Sequence, residues 1–287
     1  KLITSSFLAA LSILIISTLA IAYVIQQFHE ATFVQGIAYA IPLSVMSSAI
    51  VIPSVGGLDE EKKEFMVYES TLSDILGIMF FNFLVVSKSE DSFGTIAANI
   101  SLDLLVTLGI SILFSYGLVY VFQRIKTDLK LFLIISILTL MYAVGKMLHY
   151  SSLVIIFLFG LILNNIPVFF RGRYLKRLIK QSDARPIIRD FKTVTIESAF
   201  LVRTLFFVVF GLSIDLTVLT DPRVLMIGSL IVLIMYFIRL INLVVFHKAS
   251  SIFPELFLSP RGLVTILLYY IIPEQYKIPE CGEGIMF

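Results

Sequence analysis

The chain has 287 residues, of which 58% are hydrophobic and 15% are charged, and its formal net charge at neutral pH is +2. Because a soluble domain carries about 25% charged residues, this composition indicates a polytopic membrane protein. The net charge is too small to indicate nucleic-acid binding, so we expect no nucleic-acid partner. The single cysteine excludes an intrachain disulfide or a cysteine metal cluster.

Apolar segments of membrane-spanning length recur along the whole chain. About 20 apolar residues cross a bilayer as a helix, and this length predicts an all-α domain over residues 1–287. The nine predicted crossings are 3–25, 33–56, 65–87, 95–123, 130–148, 150–169, 193–214, 223–246 and 257–273. The first is too long for the core of a signal peptide and lacks a cleavage site, so we interpret it as a transmembrane helix.

Lys and Arg residues are concentrated in alternate loops. The N-terminus and the loops at 57–64 and 170–192 are basic, whereas the opposite loops carry few such residues. Since cytoplasmic loops carry the excess of positive charge, we expect these regions in the cytoplasm and the protein in the cell membrane, or the inner membrane of a bacterium. Residues 171–180 carry apolar residues between their basic ones, which fits either a solvated loop or an amphipathic helix on anionic lipid.

The second predicted crossing, 33–56, is interrupted by proline. Pro42 and Pro53 lack an amide donor and each frees a carbonyl upstream, and Ser47 and Ser48 lie between them. Irregular backbone is tolerated at membrane depth only where it lines a cavity or is buried in protein. The interruption therefore indicates a functional region.

The third predicted crossing contains two acids, Glu69 and Asp74. An intramembrane acid costs about 2.5–3.5 kcal/mol even on the most permissive scale, so it is a candidate functional residue. Asp74 shares a helix face with Ser70, and Glu69 with Ser73. Oxygen ligands suit a dehydrated monovalent cation, and burial favours the protonated form of a carboxylic acid, so cation and proton could compete at Asp74. The alternative is a purely structural acid, and it is stronger for Glu69.

The eighth predicted crossing, 223–246, contains Arg239. An arginine at membrane depth should face the bundle and find a partner. We expect a buried ion pair with Glu69 that positions the third helix against the eighth. The alternative is that Arg239 extends to the cytoplasmic surface.

The ninth predicted crossing begins with Ser259-Pro-Arg-Gly262, a second interruption that includes Arg261 and Gly262. Two broken segments in corresponding positions of a membrane protein are typical of a transporter whose binding site lies between inverted repeats. We therefore expect the two interruptions to meet.

Taken together, these motifs resemble the monovalent cation/proton antiporter superfamily, which contains sodium/proton exchangers and potassium/proton relatives. Glu69-Ser-Thr-Leu-Ser-Asp74 resembles the family's Glu-Ser-x-x-Asn-Asp element, and residues 46–53 resemble its broken helix. Residues 206–211 resemble its aromatic-glycine helix and residues 259–262 its late arginine-glycine element. Arg239 stands where many members carry an arginine paired with that glutamate.

The resemblance implies an inverted-repeat bundle of about 12 to 13 helices with two crossed broken helices, of which this chain would be a fragment incomplete at both ends. It implies a homodimer in the lipid bilayer, a role in pH homeostasis, and no cofactor besides the transported sodium or potassium and the proton. It assigns cation and proton binding to Asp74, with the serines of its own helix and of the broken helix nearby: Ser70, Ser73, Ser47 and Ser48.

Two positions depart from the family pattern. Ser73 stands where exchangers usually carry Asn or a second Asp, so the site has one carboxylate, which favours electroneutral exchange. Ala49 stands where sodium exchangers often keep an acid, so sodium and potassium are both alternatives. A cation channel on the same scaffold is an alternative, and the two departures also fit a non-transporting sensor. An enzyme that uses Glu69 and Asp74 as acid and base is disfavoured, because their spacing turns the side chains apart and no nucleophile or cofactor motif accompanies them.

Overall fold

The computed structural model describes residues 2–86, 105–106, 109–114, 116–117, 130–147, 152, 155–156, 159–160, 181–213, 220–246 and 252–278. Among these residues all regular structure is helical. The helices are α1 (Leu2–Phe28), α2 (Phe33–Ser44), α3 (Ser48–Ser54), α4 (Glu60–Val86), α5 (Lys130–Met147), α6 (Gln181–Ser213), α7 (Pro222–Phe246) and α8 (Leu263–Tyr270), followed by a 3-10 turn at Glu274–Tyr276. The predicted all-α fold is confirmed.

Several helices have the length and composition of membrane spans. In the described part of the chain, four segments are long and apolar enough to cross a membrane: Leu2–Phe28, Phe33–Ser54, Thr195–Leu212 and Pro222–Phe246. They agree with the first, second, seventh and eighth predicted crossings, and a shorter apolar helix at Ile135–Met147 agrees with the fifth. The fourth and sixth predicted crossings lie mostly outside the described residues. The polytopic helical architecture is confirmed.

The predicted loop at 170–192 is partly helical. Helix α6 begins at Gln181, so the second half of that range belongs to the helix, and the first half lies outside the described residues. A helix satisfies its own backbone hydrogen bonds, so it can continue from lipid into water without ending at the last apolar residue.

The chain divides into two compact units. One comprises residues 1–86 and 206–287, and the other comprises residues 87–205. Within the second unit Ser152 Oγ donates to the Tyr142 carbonyl at 3.0 Å and Ser111 Oγ to the Ile155 carbonyl at 3.2 Å. All candidate site residues lie in the first unit.

Helix α1 packs against α2, α4 and α7 in the first unit. A Cβ on Gly36 of α2 would lie 2.8 Å from the Ala22 carbonyl oxygen of α1, so only glycine permits this approach. Nearer the beginning of α1, Ala10 and Leu14 pack with Val45 and Leu76. Apolar packing therefore holds α4 beside the interruption of the second crossing.

The second predicted crossing is broken, as expected from its prolines. Helix α2 ends at Ser44, Val45 has an extended backbone with φ −72° and ψ 129°, and α3 begins at Ser48. Pro42 lies in the last turn of α2, where its missing amide leaves the Ala38 carbonyl without its helical donor. Pro53 lies inside α3 and is exposed, so it takes no part in the break.

The ninth predicted crossing is helical only over Leu263–Tyr270. Residues 259–262 have no regular structure, and residues 252–258 form turns that lead into them. We call 45–47 the first break and 259–262 the second break.

Candidate functional site

The two breaks are hydrogen-bonded to each other. The Ser47 amide in the first break donates to the Pro260 carbonyl in the second at 3.0 Å. Arg261 Nε donates to the Leu43 carbonyl at 2.5 Å, and its Nη1 donates to the carbonyl and hydroxyl oxygens of Ser259 at 3.1 and 3.0 Å. Because carbonyls at a helix end lack partners within the helix, Arg261 satisfies one of them and ties α2 to the second break.

Gly262 permits the close approach of the breaks. A Cβ at this position would overlap with the Ser47 side chain. The Gly262 backbone is extended, with φ −146° and ψ −160°, so the requirement is for space and not for an unusual conformation.

Helix α4 presents Ser73 and Asp74 to the first break. The Ser48 amide donates to Asp74 Oδ2 at 3.0 Å, and the Ser48 hydroxyl donates to the same oxygen at 2.5 Å. The Met46 amide donates to Ser73 Oγ at 2.9 Å. Both amides lie where the break leaves backbone donors without helical partners, so the polar side chains of α4 satisfy the break.

The second oxygen of Asp74, Oδ1, is buried and has no hydrogen-bond partner among the described residues. A buried polar atom without a partner is costly. The carboxylate thus has one oxygen that is held by the protein and one that is available to a proton or a cation.

Ser70 lies close to Asp74 in sequence but bonds elsewhere. Its hydroxyl donates to the Val67 carbonyl at 3.2 Å, one turn earlier in α4, and its side chain is fully buried. Serine inside a helix often bonds back to its own helix in this way. The structure therefore brings Asp74 together with Ser48, and Ser70 supplies no hydrogen bond to it.

Glu69 and Arg239 meet inside the first unit. Arg239 Nη1 lies 2.5 Å from Glu69 Oε1, and the side chains are 2% and 1% exposed. Arg239 Nη2 also contacts Met66 Sδ at 3.2 Å and the Glu255 carbonyl at 3.4 Å. Arg239 faces the protein interior and does not extend to the surface, and it joins α7 to α4.

A comparison with protein families identifies the scaffold. The family model described as "Sodium/hydrogen exchanger, transmembrane" matches residues 1–281, nearly the whole chain. The chain belongs to the sodium/hydrogen exchanger family. No curated protein gives a significant match to the exchanger.

Family membership confirms the predicted antiporter superfamily. It supports cation/proton antiport as the general activity of this exchanger and a multi-pass location in a membrane. Members of the family are transporters and not enzymes, and they need no cofactor. The roles of individual residues in the exchanger stay predictions.

A second buried ion pair of the exchanger is absent from the sequence-based predictions. Lys62 Nζ lies 2.7 Å from Glu255 Oε1, and Glu255 is completely buried. From the sequence, Lys62 contributes only to the positive charge of the basic loop at 57–64. The one sequence signal was Glu255 itself, an acid within the mostly apolar residues 252–258 that precede the second break.

Proposed function

We propose that this exchanger moves one monovalent cation, sodium or potassium, against one proton, with Asp74 as the carrier. The observation that carries the proposal is the buried Asp74 Oδ1, which has no hydrogen-bond partner among the described residues, while Oδ2 is held by Ser48. A proton or a cation would relieve the cost of that buried oxygen. The two ligands would compete for it, and this competition is the basis of exchange.

The proposed exchange is electroneutral. The other acid of α4, Glu69, is paired with Arg239 and adds no net charge. Asp74 is neutral when protonated and its complex with a monovalent cation is also neutral, whereas the empty carboxylate carries a charge that is costly inside a membrane. The site can therefore change from opening on one side of the membrane to opening on the other more easily when it is loaded with either ion than when it is empty. This difference couples the movement of the cation to the movement of the proton.

The proposed cation ligands are oxygens around the first break. Asp74 Oδ1 supplies the charge, and the hydroxyl oxygens of Ser48 and Ser73 lie at the same contact between α4 and the break. Hard oxygen ligands of this kind suit sodium or potassium. Ser47 of the first break completes the proposed set. Ser70, which the family resemblance also implies, bonds to its own helix and is not among the proposed ligands.

We further propose alternating access, with the crossed breaks in the part that carries the ion. The hydrogen bonds between the breaks, including Ser47 to Pro260, favour movement of these elements together. On the family resemblance we add a homodimer in the cell membrane, which is the inner membrane in a bacterium, and a role in pH homeostasis.

The experiment compares wild-type protein with Asp74→Asn in proteoliposomes that contain a pH-sensitive dye. Addition of sodium or potassium chloride should move protons in the wild type and not in the variant. Asp59→Asn makes the same chemical change at an exposed position before α4 and should behave as wild type. Each protein is first shown to be folded by size-exclusion chromatography and thermal unfolding.

Full activity of folded Asp74→Asn would refute the proposal. Cation flux through the wild type without proton movement would favour a channel, and no flux of either ion would favour a sensor. Electroneutrality is tested by imposing a membrane potential, which should leave the exchange rate unchanged.

A further inference from the structure

The ion pair of Lys62 and Glu255 ties the beginning of α4 to residues 252–258, which lead into the second break. The Nζ to Oε1 distance is 2.7 Å, with Glu255 completely buried and Lys62 13% exposed. Lys62 Nζ also donates to the Phe253 carbonyl at 3.3 Å. Two contacts from one lysine thus hold Phe253 and Glu255, which lie two residues apart in this segment.

Residues 252–258 are also held from α7. Arg239 Nη2 donates to the Glu255 carbonyl at 3.4 Å, while its Nη1 binds Glu69 of α4. The segment is therefore attached to α4 directly through Lys62 and indirectly through Arg239. Since α4 also carries Asp74, both attachments fix the position of residues 252–258 relative to the helix that contains the proposed carrier.

A short series of contacts leads from this pair to the carboxylate. The second break follows residues 252–258 directly, and its Pro260 carbonyl accepts the Ser47 amide. The next residue, Ser48, donates twice to Asp74. A displacement of the segment would therefore be transmitted to the two donors that orient the carrier.

We infer that Lys62 and Glu255 are positioning residues for ion exchange. They hold the second break in place against the first, so that Ser48 keeps its hydrogen bonds to Asp74. The inference rests on the proposed function of Asp74. A buried ion pair contributes little net stability compared with apolar side chains of similar volume, but its partners must meet at one geometry. That geometric requirement is what the pair adds to the site.

The test uses the full-length chain in proteoliposomes, with sodium and potassium chloride as the probes. Lys62→Met and Glu255→Gln each remove one charge, and the double variant Lys62→Glu with Glu255→Lys reverses the pair. The control is Lys63→Met, because Lys63 is 42% exposed and its ion-pair partner, Glu60, is 84% exposed. Rates are expressed per amount of folded protein.

We expect each single charge removal to raise the cation concentration for half-maximal exchange about tenfold, since the loss of one hydrogen bond to a charged group changes an affinity by about this factor. The reversed pair should return that concentration to within about threefold of the wild type, because the charges again compensate each other. Lys63→Met should match the wild type. A pair that only stabilised the fold would change the yield of folded protein and leave the half-maximal concentration unaltered.

The inference fails if folded Lys62→Met and Glu255→Gln exchange ions with wild-type half-maximal concentrations. If these variants do not fold, Lys62→Arg and Glu255→Asp retain the charges and change the reach of the side chains, and an unchanged half-maximal concentration in both would equally refute it. A wild-type protein that exchanges no ions would instead refute the proposed function.

Discussion

Removal of Arg239 should destabilise the protein strongly, because it leaves a buried charge without its partner. Glu69 is 1% exposed and its Oε1 lies 2.5 Å from Arg239 Nη1. Breaking a buried pair by deleting one member costs about 3–5 kcal/mol. For Arg239→Met, which keeps much of the side-chain volume, this corresponds to a fall in Tm of roughly 10 °C.

The double variant Glu69→Gln with Arg239→Met should be more stable than either single variant, since it removes both charges together. The expected coupling energy is about 2 kcal/mol or more. Tm is measured on purified protein in detergent from the loss of the monodisperse size-exclusion peak after heating. Arg223→Met is the control, because Arg223 is exposed at the beginning of α7. A double variant that loses as much stability as the two single variants combined would refute the assignment of the pair.

Further substitutions test the geometry of the breaks. Gly262→Ala should reduce the exchange rate per folded protein about tenfold, because the added Cβ would overlap with a side chain of the first break. Gly57→Ala should leave the rate unchanged, because a Cβ there meets no atom within 4 Å. Equal rates for both variants would contradict the requirement for space at Gly262. Ser48→Ala should raise the half-maximal cation concentration about tenfold, since a hydrogen bond to a charged group contributes about 1.5–3 kcal/mol. Ser70→Ala removes a hydroxyl that bonds within its own helix and should change that concentration by less than about twofold; a larger effect of Ser70→Ala would place Ser70 at the ion.

Part of the candidate site could be predicted from local sequence patterns. The acids inside an apolar segment identified α4 as a candidate functional helix, because a charge is costly in lipid. An arginine in α7 required a partner for the same reason, and Glu69 was the expected one. The proline in α2 predicted a break, although its position at 45–47 and the minor role of Pro53 depended on how the chain continued beyond it.

The remaining contacts depend on segments that are far apart in the sequence. Helical spacing suggested Ser70 as the neighbour of Asp74, yet Ser70 bonds to its own helix and Ser48, the first residue of α3, takes that place. The pairing of Lys62 with Glu255 left no periodic signal, because an ion pair between distant segments requires no particular spacing.

The sequence by itself determined that this protein is an all-helical membrane protein of the exchanger family with two acids inside a mostly apolar segment, because composition and hydrophobic length act locally along the chain. Only the tertiary structure decided which donors hold Asp74, how the two breaks meet at Gly262, and which basic side chain pairs with Glu255. Those choices follow from the packing of separate helices, where the space between backbones and the need to satisfy each buried polar atom select one set of partners.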